Sequence, residues 1–231
     1  MKKLLLLFTA AFSLLSCSVR IDGSLSANGS AVINIRMSLE PGVTALFQRL
    51  YAAGGQSGAS VLDSSSIARS MSNASGVASV SFRNTSRSAI EGQIRISRIN
   101  DFLASTDGSR FITFEQRGTG GRLTINIDRA KSPAILAMLS EEVVDYLNAL
   151  MAPIASGETM SKHEYLDLVA VFYNRTISNE IASSRILASI EFPGRITNVR
   201  GGTFSGRTAN FDIPLLDLLV LETPLDYEVT W

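Results

Sequence analysis

Alternation of apolar and polar side chains marks the N-terminal, central and C-terminal parts of the chain. Between Ser30 and Leu39, Ile33, Ile35 and Met37 alternate with Val32, Asn34 and Arg36, a period of two that predicts a strand with its isoleucine side buried. Ser18 to Ser26 reads as the partner strand. Asn28-Gly29 between them predicts a type I′ turn, because both residues tolerate positive φ. The period returns from Gly76 to Arg129, where Val80 and Phe82, Ile94 and Ile96, Ile112 and Phe114, and Leu123, Ile125 and Ile127 alternate with polar neighbours. With turns near 84–88, 107–108 and 118–121, this predicts an antiparallel meander with one face buried and one wet. Further strands are expected from Ile186 to the Phe192-Pro193-Gly194 turn, across Thr203 to Ile213, and from Tyr227 to Trp231, with a helical turn at Leu215 to Leu219.

Helical spacing fills the gaps. Pro41 opens a helix whose Val43, Leu46, Phe47, Leu50 and Tyr51 form one apolar stripe, and Gly54-Gly55 ends it. Residues 54–66 read as a flexible loop, followed by a short helix to about Met71. Ser132-Pro133, as N-cap and first helical residue, start a run from Ile135 to Leu150 that breaks near Ser140 and ends around Pro153. Ser161 and Glu164 read as a capping box on a helix that buries Tyr165, Leu168, Val169 and Phe172. The expected fold class is α+β: an antiparallel sheet of N-terminal hairpin, central meander and C-terminal strands, with two or three amphipathic helices packed on one face.

The start of the chain departs from both periods. Lys2 and Lys3 precede a dozen mostly apolar residues, Leu4 to Leu15, the length of a signal-peptide core and too short to span a bilayer. The run ends in Leu14-Leu15-Ser16-Cys17, which resembles the lipobox of bacterial lipoproteins. That resemblance implies a signal peptide over 1–16, cleavage before Cys17, a diacylglyceryl group on its thiol and acylation of the new amine. It implies a single domain over 17–231, anchored in the cell envelope by acyl chains and facing the periplasm. Two or three such chains suffice for stable anchoring. Ser18, where some bacteria use aspartate to retain lipoproteins at the inner membrane, favours the outer membrane.

Composition narrows the chemistry. Cys17 is the only cysteine and His163 the only histidine, so zinc, iron–sulfur and haem ligation lack ligands; no metal and no cofactor are expected. His163 falls in the first turn of a helix and reads as a surface residue. No Gly-x-Ser-x-Gly elbow supplies a nucleophile, and Gly118 to Gly121 precedes a strand and reads as a turn. No catalytic residues are assigned and no enzyme is expected. The 21 basic and 21 acidic residues balance, and loss of Lys2 and Lys3 leaves a slightly acidic domain, which argues against nucleic acid as a partner. Arg83, Arg95, Arg122, Arg110 and Arg117 fall on or near the wet face, where they could collect anionic headgroups; exposed arginines on a solvated sheet are the plainer reading.

Two segments resemble a known family. Cys17-Ser-Val-Arg-Ile-Asp-Gly-Ser-Leu-Ser-Ala-Asn-Gly leads at once into a strand–turn–strand, and Ile190-Glu-Phe-Pro-Gly-Arg-Ile is followed by the closing Asp226-Tyr-Glu-Val-Thr-Trp231. Together they are similar to the LppM-type lipoprotein domain and to small envelope lipoproteins of spirochaetes. The resemblance implies a helix-on-sheet domain suspected of binding lipid, without catalytic residues to carry over. The expected function is a non-enzymatic binding module for a lipid or other hydrophobic ligand. Its groove would lie along the helices at Phe47, Leu50, Tyr51, Leu147, Leu150 and Phe172. The alternative is an interaction or assembly lipoprotein that docks on another envelope protein through an edge strand or the 54–66 loop. A membrane barrel, suggested by the terminal Trp231, conflicts with the helices.

Overall fold

A computed structural model describes residues 18–53, 60–139 and 141–231. The expected signal peptide, Cys17 and the first part of the 54–66 loop lie outside the described residues. The fold is α+β. Its strands are β1 (Ser18–Leu25), β2 (Ala31–Ser38), β3 (Val77–Ser86), β4 (Ala89–Ile96), β5 (Ile112–Arg117) and β6 (Gly120–Ile127). They continue as β7 (Arg185–Glu191), β8 (Asn198–Arg200), β9 (Thr203–Ser205), β10 (Thr208–Pro214) and β11 (Leu225–Thr230).

These strands form two sheets rather than one. A seven-stranded sheet has the order β3-β4-β2-β1-β7-β10-β9, and a four-stranded sheet the order β5-β6-β11-β8. The expected central meander is therefore divided: β3 and β4 extend the N-terminal hairpin, while β5 and β6 join the C-terminal strand through β6. Pairing is antiparallel except between β1 and β7, which run parallel from Ser18 opposite Arg185 to Ser24 opposite Glu191. The β1–β2 turn also differs from the expected type I′ turn. Ser26 and Ser30 close a three-residue loop, the Gly29 amide donates to Ser26, and only Gly29 has positive φ. This is the type I turn with a left-handed third residue. Asn28 contributes its side chain, accepting from the Ser30 amide at 3.0 Å. In β4, Gly92 leaves room for the Phe82 ring to lie over the backbone; a Cβ there would stand 2.2 Å from the ring.

The helices are α1 (Pro41–Ala53), α2 (Ser64–Ser72), α3 (Ile99–Ser105), α4 (Ser132–Ala137), α5 (Glu141–Ala149), α6 (Pro153–Ser156), α7 (Lys162–Phe172), α8 (Arg175–Ser183) and α9 (Leu215–Val220). The capping box at the start of α7 is present, with Ser161 and Glu164 bonding each other's backbone amides. Ser132 is not the N-cap of α4, because a 3-10 turn at Arg129–Lys131, capped by Asp128, runs straight into the helix. The loop expected to reach residue 66 stops sooner. Val61 and Leu62 are buried, and Asp63 caps α2 by accepting from the Ser65 amide at 2.8 Å. α3 and α8 interrupt stretches without an expected helix.

Two apolar clusters hold the molecule together. One lies between the sheets and gathers Ile94, Ile96, Phe114, Phe192, Val229 and Trp231, closed at one side by Ile99 and Leu103 of α3. The other joins the helices, with Val43, Phe47, Val61, Tyr165, Val169, Ile177, Ile181 and Val220 buried. It meets the four-stranded sheet at Ile127, Leu225 and Tyr227.

Candidate functional site

The helical cluster contains most of the expected groove. Tyr146 of α5 is its hub: the Phe47 ring lies 4.2 Å from it, and the Tyr51 ring stands edge-on at 6.0 Å. The Tyr146 hydroxyl donates to the Val61 carbonyl, and the Tyr51 hydroxyl meets that of Tyr146. Carbonyls at and just past the end of α5 are met the same way. Tyr165 donates to the Leu150 carbonyl at 3.2 Å, and Tyr173 donates to that of Ala149. Burial pushes both phenols above the ordinary tyrosine range, so each stays protonated and donating. Tyrosine suits this place because its ring fills the apolar interior while its hydroxyl satisfies a carbonyl the helix end leaves open.

The groove residues divide accordingly. Phe47 and Leu150 are buried, and Tyr51 and Leu147 are half-buried around the same hub. Leu50 is 45% exposed and Phe172 64% exposed, so these two face solvent. The sequence places Phe172 on the buried face of α7. The chain turns after α7, and Tyr173 takes the inward position instead, leaving Phe172 outside with Val171, which is 82% exposed. Sequence reasoning missed Val171 as a surface residue, and missed Glu180. That carboxylate on α8 accepts from the Gly42 and Val43 amides at 2.9 Å each and so caps α1 across the fold.

The arginines expected on one wet face lie on separate surfaces, because the meander is split. Arg83 and Arg95 belong to the seven-stranded sheet, where Arg83 pairs with Glu91 and Arg95 bonds Gln93. Arg122 and Arg117 belong to the four-stranded sheet, and Arg110 pairs with Asp107 in a 3-10 turn. Glu228 on β11 is buried and receives Arg122 at 2.7 Å and Arg200 at 3.1 Å. The hydrogen bond from Arg122, with the charges of both arginines, holds this carboxyl below the usual glutamate range. His163 lies on the surface, 3.4 Å from Asp167. Among the described residues, no group of three or more His, Cys, Asp or Glu side chains comes together to hold a metal ion.

An edge strand offers the alternative docking route, and β3 forms one edge of the seven-stranded sheet. α2 packs against it, and Asn84 donates to the Leu62 carbonyl at 2.6 Å, tying the segment before α2 to the end of β3. Such cover is how proteins commonly blunt an edge.

No family model matches the chain, and no curated protein matches it. Among solved structures, the chain is similar to the folded domain of LppM from Mycobacterium tuberculosis, with 8% sequence identity and a TM-score of 0.42 over 93% of this chain and 88% of that one.

Proposed function

We propose that the protein is a cell-envelope lipoprotein, anchored through Cys17, whose helical part binds an acyl chain or another hydrophobic ligand without transforming it. The observation that carries this reading is the exposure of large apolar side chains on α1 and α7. Leu50, Val171 and Phe172 are 45%, 82% and 64% exposed, although the helical core beneath is closed. Half-buried Tyr51 and Leu147 would contact the ligand from the side, while Phe47 and Leu150, buried in the closed core, would support them from beneath. Among the described residues no helix is long and apolar enough to cross a membrane, so anchoring in this reading rests on the acyl chains.

Native mass spectrometry on residues 18–231, with uptake of a fluorescent fatty acid, tests the binding claim. A bound lipid mass, or saturable uptake reduced by Phe172→Ser and Leu50→Ser, is the expected result. A ligand-free domain that takes up no fatty acid contradicts it. Intact mass of the membrane-extracted protein tests the anchor separately: Cys17 should carry the acyl mass.

A further inference from the structure

The register of the seven-stranded sheet lines up one row of side chains across six strands of its wet face: Arg83, Glu91, Arg36, Arg20, Leu187 and Asp212. Within this row Arg20 and Arg36 stand directly opposite each other on β1 and β2. Like charges so placed weaken a strand pair. The neighbouring carboxylates are already engaged. Asp22 accepts from Arg20 at 3.3 Å and Asp212 from Arg185 at 2.7 Å, while Glu91 is held by Arg83 and Glu191 by Arg207. Among the described residues Arg36 has no ion pair.

The surface is also shaped at this point. Three concavities of 540, 220 and 500 Å³ open along the face. Arg20 lines the first and second, and Arg36 lines the second and third, so the arginine pair stands where they meet. Asn34 and Gln93, in the next row, line the third concavity beside Arg36 and are bonded to each other, Gln93 donating to Asn34 at 2.9 Å.

We propose that Arg20 and Arg36 form a binding site for a phosphate group. A guanidinium presents paired N–H donors that match phosphate oxygens, and two of them from facing strands can grip one tetrahedral anion. Asp22 on Arg20 and Glu91 opposite Arg36 screen the pair in part, and the anion neutralises Arg36, which has no ion pair among the described residues. Arg20 is two residues into β1, about 7 Å along the strand from Ser18. In the lipid-anchored reading, the headgroup phosphates of the same leaflet are therefore close by; free phosphate carries the same chemistry. The site uses no part of the apolar helical surface and stands or falls independently of it.

The test uses the full-length chain in dodecyl maltoside, titrated by calorimetry with sodium phosphate, short-chain phosphatidylglycerol and short-chain phosphatidylcholine. Binding of an anionic probe, weakened about tenfold or more by Arg36→Gln and unaffected by Arg175→Gln at the start of α8, is the expected result. Phosphatidylglycerol binding more tightly than phosphate identifies a lipid headgroup as the source, and equal binding identifies free phosphate. Arg20→Gln reads the same site should Arg36→Gln fail to fold. Phosphatidylcholine measures the contribution of the acyl chains, which both arginine variants should leave unchanged. Absence of binding by both anionic probes, or anionic-probe binding unchanged in both arginine variants, overturns the proposal.

Discussion

Between the sheets, Trp231 packs its ring against Phe192 at 4.7 Å and Phe114 at 5.9 Å, whereas in the helical core Tyr146, Tyr165 and Tyr173 reach past their neighbours to backbone carbonyls. The first core is made by strands whose alternation points one face inward, and its outer faces are polar and laced with ion pairs. The second joins short helices that lack such a ladder. Hydroxyl-to-carbonyl bonds and the Glu180 cap tie those helices to one another. The difference extends to the surface. The sheets show mostly charge, with Leu187 and Phe204 exposed beside it, and the helices show Leu50, Val171 and Phe172. The most exposed of these apolar side chains, Val171 and Phe172, and the facing Arg20–Arg36 pair thus lie on different parts of one molecule and point to two kinds of contact.

The largest expected effect breaks the sandwich core. Trp231→Ala should cost about 3–5 kcal/mol in chemical denaturation, the range for deleting a buried aromatic ring. Trp231→Phe should cost less than about 1.5 kcal/mol, because it keeps most of the ring and removes a buried indole N–H without a hydrogen-bond partner. A similar loss in both variants would show that the stack is not what holds this core. In the helical core, Tyr165→Phe removes one bond to a buried carbonyl and should cost about 1–3 kcal/mol in the same assay. Glu180→Ala uncaps α1 and should cost about 0.5–2 kcal/mol. Its hydrogen exchange should rise first at Gly42 and Val43.

Acid sharpens the same contrast. The Glu228 carboxyl is held below its ordinary range in the folded state, so its contribution is present above the unfolded value and fades as pH falls through the folded one. The thermal midpoint of the native protein should therefore drop more between about pH 5 and pH 3 than that of Glu228→Gln. Equal slopes would remove Glu228 from the account of acid sensitivity. The smallest effect on stability is expected from Phe172→Ser, within about 0.5 kcal/mol, since the ring is already in solvent.

Much of this contrast was legible in the sequence where the signal is local. The isoleucine faces of β2 and β4, the Ser161–Glu164 box and the Tyr227-Val229-Trp231 alternation each depend on residues within a few positions of one another. The parallel pairing of β1 with β7 and the Glu180 cap do not. Glu180 meets Gly42 across 138 positions, and no local pattern marks a carboxylate as another helix's cap. α8 did leave a trace in the Asn174 cap and the spacing of Ile177 and Ile181, but its brevity hid it beside the strand that follows. Of the residues expected in the groove, Phe47 and Tyr51 meet the Tyr146 ring, and Leu147 and Leu150 belong to the same apolar cluster. Phe172 does not, because the stripe continues through Tyr173 once the helix ends. The facing pair of Arg20 and Arg36 depends on strand register, which alternation alone does not fix.

Hydrogen–deuterium exchange of the full-length protein with and without a long-chain fatty acid bears most directly on where a hydrophobic ligand sits. Protection confined to the C-terminal half of α1 and the end of α7, with the sandwich strands unchanged, is the expected result. Protection in the sheets, or no change anywhere at saturating fatty acid, would contradict it.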